Sequence, residues 1–154
     1  MYKIALALIV KGTDGEAELL DRCLENVSPY VDGIFLTSTY KKGEEPNKKI
    51  SLVGAKYGAN MSYFVWQNDF ALARNFNFSQ VSKDYDYILW LDADDVMRGL
   101  ENIRQIIEDN QTVDAFAFNY LYDFDKYNNP IVVHKKTQII RNDGCVSWIG
   151  KLHE

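Results

Sequence analysis

The chain has 154 residues, is 47% hydrophobic and 14% aromatic, and so has the length and apolar content to bury one domain core. Its formal net charge is −5 and its sequence pI is about 5.0, which excludes a general nucleic-acid binder needing a basic face. An acidic chain that binds an anionic ligand must supply local help, such as a metal ion or a helix N-terminus.

Lys3 to Val10 is an almost continuous apolar run, the pattern of a strand covered on both faces. It is too short and wrongly flanked for a signal peptide or a membrane span. Thr13-Asp14-Gly15-Glu16 has the form of a capping box, so a helix should follow with Leu19, Leu20, Cys23, Leu24 and Val27 inward, ending before Pro29. Gly33 to Ser38 reads as a second strand, Tyr40 to Lys49 as a solvated loop, and Ile50 to Tyr57 as a short helix. Met61 to Trp66 is a third strand. Asp69 to Ser82 has helical spacing with Phe70, Ala73, Phe76 and Val81 inward. Tyr87 to Leu91 is a fourth strand, and a helix over Gly99 to Asp109 carries Leu100, Ile103, Ile106 and Ile107.

The remainder changes character. Ala115 to Tyr122 alternates the rings of Phe116, Phe118, Tyr120 and Tyr122 and reads as a strand. Ile131 to His134 and Thr137 to Arg141 read as two more, with a turn at Asn128-Asn129-Pro130. The expected fold class is α/β: a mostly parallel, Rossmann-like sheet with flanking helices and a small antiparallel C-terminal part, all in one domain over 1–154. Cys23 and Cys145 form no metal-binding pair, and a reduced, cytoplasmic setting is the simplest reading.

The chemistry concentrates at Asp92-Ala93-Asp94-Asp95, where the apolar fourth strand runs into three carboxylates. If Asp92 and Asp94 point the same way, as alternate strand residues do, their repulsion is severe: about 4 kcal/mol at ~4 Å and an effective dielectric of 20. A divalent cation turns that repulsion into attraction, and carboxylates with substrate phosphates are the ligands Mg²⁺ and Mn²⁺ prefer. The alternative is a helix N-cap and a solvated turn. Ligands of open α/β sheets bind at the carboxyl ends of the strands, here Val10-Lys11, Ser38-Thr39, Trp66-Asp69 and Asp92-Asp95.

ILWLDADD resembles the DxD motif of GT-A glycosyltransferases of the inverting family 2. NDFALARN, Asn68 to Asn75, resembles that family's stretch before the DxD strand. WIGKLHE, Trp148 to Glu154, resembles the W/H-x-G-x-V-H-E element of a bacterial branch, and IALALIVKG with RCLENV resembles the first βα unit. The resemblance covers nearly the whole chain.

It implies a metal-dependent transfer of a sugar from a nucleotide diphosphate-sugar to an unidentified acceptor, a glycan, polymer or peptide, with inversion. The donor it implies is a UDP-sugar, of glucose or N-acetylglucosamine, and the cofactor Mn²⁺ or Mg²⁺. Asp94 would bind the metal, Asp92 would meet ribose or sugar and reach the metal, and His153 would complete the metal site. Glu154 would be the catalytic base, worth about 10²- to 10⁴-fold in rate. As the last residue it is either the cut end of a longer parent or a loosely held base. Leu8, Ile9 and Val10 would lie along the nucleotide, with Ala93 nearby. Asp69 would cap its helix and meet the nucleotide or hold Arg74, itself directed at phosphate or the DxD carboxylates. Trp148 would stack on sugar or acceptor, or serve as a core aromatic. Where the family carries an aspartate at the second strand's end, Thr37 and Thr39 offer hydroxyls instead. The rival readings are a nucleotidyltransferase, for which KGTDG is a poor phosphate loop; a DxD phosphatase, whose motif follows its first strand; and a non-catalytic nucleotide-sugar-binding module.

Overall fold

The structure is a computed structural model, and residues 1–152 of it are described. A six-stranded sheet forms the centre, in the order β3-β2-β1-β4-β6-β5. The strands are β1 (Ile4–Lys11), β2 (Gly33–Tyr40), β3 (Asn60–Val65), β4 (Tyr87–Asp92), β5 (Ala115–Phe124) and β6 (Pro130–Arg141). The first four pair in parallel, while β6 runs antiparallel to both β4 and β5. The helices are α1 (Asp14–Val27), α2 (Lys48–Lys56), α3 (Phe70–Ser79) and α4 (Ile103–Asp109), the last preceded by a 3-10 turn at Leu100–Asn102. No helix among the described residues is long and apolar enough to cross a membrane.

The apolar runs explain the sheet's centre. Ile4 to Val10 are all buried because β1 is paired on both sides and covered on both faces. One face packs Leu6, Leu8, Leu36, Leu89 and Leu91 against Leu20, Leu24 and Val27 of α1, Ile50 of α2 and Ile103 and Ile107 of α4. The other packs Ala5, Ala7, Phe35, Ile88 and Ile140 beneath Phe78 and Val81, at and after the end of α3.

Three local expectations are corrected. Thr13 takes the N-cap position of α1, but its hydroxyl makes no capping bond; Asp14 instead accepts from Asn47, the N-cap of α2, tying the two helix starts together. The inner face of α3 is Ala71, Ala73, Arg74 and Asn77, with Phe70 partly exposed. Small residues let the helix approach the sheet, and Asn77 spends its amide on Phe35 O and Thr37 Oγ1. Residues 131–134 and 137–141 belong to one continuous strand, β6. The Lys135-Lys136 pair that breaks the apolar pattern does not break the strand, and Lys136 finds acidic partners in Asp92, the last residue of β4, and Asp95 just beyond it.

Candidate functional site

The carboxyl ends of β1, β2 and β4 open into a cleft of about 510 Å³. Its floor is Ile9, Val10 and Lys11, then Gly12 and Thr13. One wall is Asp92, Ala93 and Asp94, with Glu16 and Leu19 of α1 nearby; the other is Thr39, Tyr40, Lys41, Glu44, Trp66 and Phe70. Gly12 is required where it stands, since a Cβ there would lie 2.6 Å from the Thr39 carbonyl oxygen.

The acidic segment is a tight turn, not an extension of β4. The Asp95 amide donates to Asp92 O at 3.0 Å, and Asp95 Oδ2 accepts from the Asp92 amide at 3.1 Å. The turn is gripped from α1: Arg22 donates to Asp94 O, Asn26 exchanges two hydrogen bonds with Met97, and the Cys23 thiol donates to Asp92 O at 3.7 Å. Burial, with the nearby Asp95, Asp94 and Asp92 charges, pushes that thiol up to about 12.

Folding the turn back separates the roles of its carboxylates. Asp92 accepts from Arg74 Nη2 at 2.5 Å and from Lys136 Nζ at 2.8 Å. Burial pushes its carboxyl up, but the two cations outweigh that and hold it below its ordinary value. Asp95 is buried; it accepts from Tyr120 Oη at 3.1 Å and pairs with Lys136 at 3.4 Å. Burial, then Asp95, pushes the Tyr120 phenol up to about 12. Asp95 therefore braces the turn rather than capping a helix. The Asp94 side chain is exposed on the cleft, and no described side chain pairs with it.

Arg74 is almost fully buried, its guanidinium 4.6 Å from the Trp90 ring centroid and 5.2 Å from that of Trp148. Trp148 is held edge-on to Trp90 and Phe78, and its backbone exchanges two hydrogen bonds with the Asn75 amide. It backs Arg74 instead of lining the cleft. Of the two places expected for Trp148, on a sugar or acceptor or among the core rings, the packing on Trp90 and Phe78 is the second.

Of the residues expected to bind the nucleotide or metal, Ile9, Val10, Thr39, Asp92, Ala93 and Asp94 come together at the cleft. Leu8 does not: it sits in the core with no exposed surface, between Leu36 and Leu91. Thr37 is also fully buried and bonds Ser62 and Asn77. Thr39 lines the cleft but bonds Val10 O. Asp69 caps α3 through the Leu72 amide and does not line the cleft. His153 and Glu154, expected as metal ligand and base, lie outside the described residues.

Among the described residues no group of three or more His, Cys, Asp or Glu side chains could hold a metal ion. The donor set still fits one kind of site. Mg²⁺ is commonly held by one or two carboxylates, with phosphate oxygens and water completing the octahedron. Asp94 supplies one exposed carboxylate on the cleft. Asp92, expected as a second, has each oxygen on a cation already.

The sequence reading missed Lys136, Arg22 and Asn26 in this site and had Tyr120 only within the alternating rings. Only Arg22 and Asn26 had a signal, as polar residues spaced four apart on the helix that packs behind the strand ends.

No family model matches the chain. A TPR repeat-containing protein of Synechococcus elongatus is 27% identical over all 154 residues, which make up 35% of its own length; the chain thus spans about a third of that relative. Among solved structures, 4-diphosphocytidyl-2C-methyl-D-erythritol synthase of Anaerococcus prevotii superposes with a TM-score of 0.62 at 15% identity, over 92% of this chain and 70% of that one. Residues 1–349 of S. aureus TarS give 0.56 at 12% identity, over 91% and 47%, and crystals of the same protein hold UDP or UDP-GlcNAc. Glucosyl-3-phosphoglycerate synthase of Mycobacterium tuberculosis, crystallised with Mg²⁺ and UDP, gives 0.53 at 12% identity, over 74% and 42%. At these identities the likeness is one of fold: the chain has the GT-A, Rossmann-like architecture of a mostly parallel sheet with an antiparallel edge.

Proposed function

We propose that this domain binds a nucleotide diphosphate-sugar in the cleft over β1, β2 and β4 and transfers the sugar, with inversion, to an acceptor. The observation that carries this reading is the division of labour at Asp92-Ala93-Asp94-Asp95. Two carboxylates are neutralised internally by Arg74 and Lys136, and one, Asp94, faces a cleft sized for a nucleotide. Asp94 would hold Mn²⁺ or Mg²⁺, and the ion would supply charge stabilisation to the departing diphosphate. Arg74 and Lys136 fix Asp92 at the floor of that wall. The nucleotides and Mg²⁺ held by TarS and glucosyl-3-phosphoglycerate synthase support a UDP-sugar, of glucose or N-acetylglucosamine, as donor. Glu154 as the base and His153 as a further metal ligand belong to this proposal on the strength of the WIGKLHE resemblance.

Nucleotidyl transfer is the second reading, and the fold likeness to the diphosphocytidyl synthase favours it. It calls for a loop after β1 that offers amides to phosphates. Here the Gly12 amide is bonded to Thr39 O, the Thr13 amide to Lys11 O and the Glu16 amide to Thr13 O. Those three donors are consumed, whereas the start of α1 has no side-chain cap; the NDFALARN and WIGKLHE resemblances keep sugar transfer as the first reading. A non-catalytic nucleotide-sugar-binding module would share the cleft but release no nucleotide.

Thermal shift and nucleotide release with a panel of nucleotide sugars and Mn²⁺ test the proposal. Stabilisation by UDP that needs Mn²⁺ and disappears in Asp94→Ala is expected, with UDP released from one of the sugars. Pyrophosphate release from CTP with no UDP response would move the assignment to nucleotidyl transfer. Glu154→Gln at full transfer rate would remove Glu154 as base.

A further inference from the structure

The cleft has two unlike walls. Opposite the acidic turn stand three rings, Tyr40, Trp66 and Phe70. Trp66 is held from several sides. Its amide donates to Tyr40 O at 2.8 Å, its indole Nε1 donates to Asn68 Oδ1 at 3.0 Å, and its ring lies 4.9 Å from that of Phe70 at 73°. Asn68 reaches that nitrogen from a left-handed backbone conformation, φ 56°. The indole is half-buried, so part of it is open to a ligand. The chain's other two tryptophans are engaged with Arg74, which leaves Trp66 as the cleft's tryptophan.

Groups that would read the edge of a base are scarce on this wall. Thr39 Oγ1 donates to Val10 O, and Ser38 is fully buried with its hydroxyl unpaired beneath the strand end. Thr39 O already accepts from the Gly12 amide and Tyr40 O from the Trp66 amide, which leaves each one lone pair. Lys41 and Glu44 are exposed, so they reach a ligand only at the entropic cost of ordering long side chains. A planar ring slid between these walls therefore meets a fixed aromatic surface and few fixed hydrogen-bonding groups.

We propose that Trp66 is the stacking surface for the nucleobase, and that the cleft consequently accepts nucleoside diphosphates with little preference among bases. This rests on the nucleotide-site reading above. Stacking on an aromatic ring is tolerant of base identity because every base has a π-face, whereas discrimination needs hydrogen bonds to the base edge.

The test titrates UDP, CDP, GDP and inorganic pyrophosphate, each with Mn²⁺, into the wild-type chain, Trp66→Ala and Trp66→Phe, by calorimetry and tryptophan emission. UDP should quench wild-type emission, and the quench should vanish in Trp66→Phe, in which Trp90 and Trp148 remain. Trp66→Ala should bind UDP about 5- to 150-fold more weakly, the range for losing one base–aromatic stack, with pyrophosphate affinity unchanged. The three nucleotides should bind the wild type within about tenfold of one another, less than the ~10⁴-fold that a hydrogen-bonding site can impose.

Equal weakening of UDP and pyrophosphate in Trp66→Ala makes the ring scaffolding and overturns the proposal. So does a wider spread among the nucleotides, or a quench that persists in Trp66→Phe, the arm that decides if the alanine variant does not fold. UDP binding that depends on Asp94 but ignores Trp66→Ala removes the stacking role alone. Failure of UDP to bind the wild type removes the nucleotide-site reading, and this inference with it.

Discussion

Replacing Lys136 with methionine removes the cation that joins β6 to the acidic turn while keeping most of the side chain's volume. Lys136 Nζ lies 2.8 Å from Asp92 and 3.4 Å from Asp95, over the rings of Trp90 and Tyr120. Its side chain is 21% exposed, Asp95 8% and Asp92 38%. Breaking a fully buried pair from one side costs about 3–5 kcal/mol, and an exposed pair contributes about 0–1 kcal/mol. The geometry lies between, so a loss of about 2 kcal/mol is expected. For a chain of this size that lowers Tm by about 4–8 °C. Lys136→Arg keeps the charge and should lose less. Adding Asp95→Asn to Lys136→Met should return part of the loss, because the stranded charge is then removed, with a coupling of about 1–2 kcal/mol. Thermal unfolding of the wild type, these three variants and the Asp95→Asn single variant reads these values. A methionine variant that melts within about 1 °C of the wild type, or a double variant whose losses simply add, would refute the claim that Lys136 neutralises the turn.

Arg74→Lys retains the charge but not the planar group held against Trp90 and Trp148, so it should cost about 1–3 kcal/mol in urea unfolding; a lysine variant as stable as the wild type would show that the stack contributes nothing. The Asp92 carboxyl is held below its ordinary value because Arg74 and Lys136 outweigh its burial. Its contribution to stability is therefore complete above the unfolded value near 3.8 and is lost as pH falls through the lower folded value. Tm measured from pH 6 downward should show this acid limb flattened in Asp92→Asn, and an unchanged limb would count against it. Cys23 is fully buried with its thiol pushed up to about 12, whereas Cys145 is exposed. A disulfide reagent at pH 8 should titrate one thiol in the folded chain and two in denaturant, and two fast thiols without denaturant would contradict the packing of α1 on the turn.

The sequence by itself determined the βα units, the place of the acidic turn after the fourth strand, and the change to antiparallel strands after residue 115. These rest on local physics: an apolar run such as Ile4 to Val10 has few alternatives to a doubly covered strand, and the spacing of Leu20, Leu24 and Val27 fits one helical face. Asp94 at the cleft and Asp69 as the cap of α3 were legible for the same reason, since each depends on its own neighbours.

Only the tertiary structure decided what depends on partners far along the chain. The order β3-β2-β1-β4-β6-β5 inserts β6 between β4 and β5. That insertion brings Lys136 to Asp92 across 44 positions and Tyr120 to Asp95 across 25. Periodicity marks which residues face inward but not what they meet. Arg74 was directed at phosphate or the DxD carboxylates and meets Asp92, while Asn77 had no assigned place; each is buried because its hydrogen-bonding groups find partners. Thr37 and Trp148 had the chemistry of ligand-binding residues and were turned to structural use for the same reason. Burial is tolerated wherever a polar group is satisfied, and which groups are satisfied is settled by the pairing of strands rather than by local sequence.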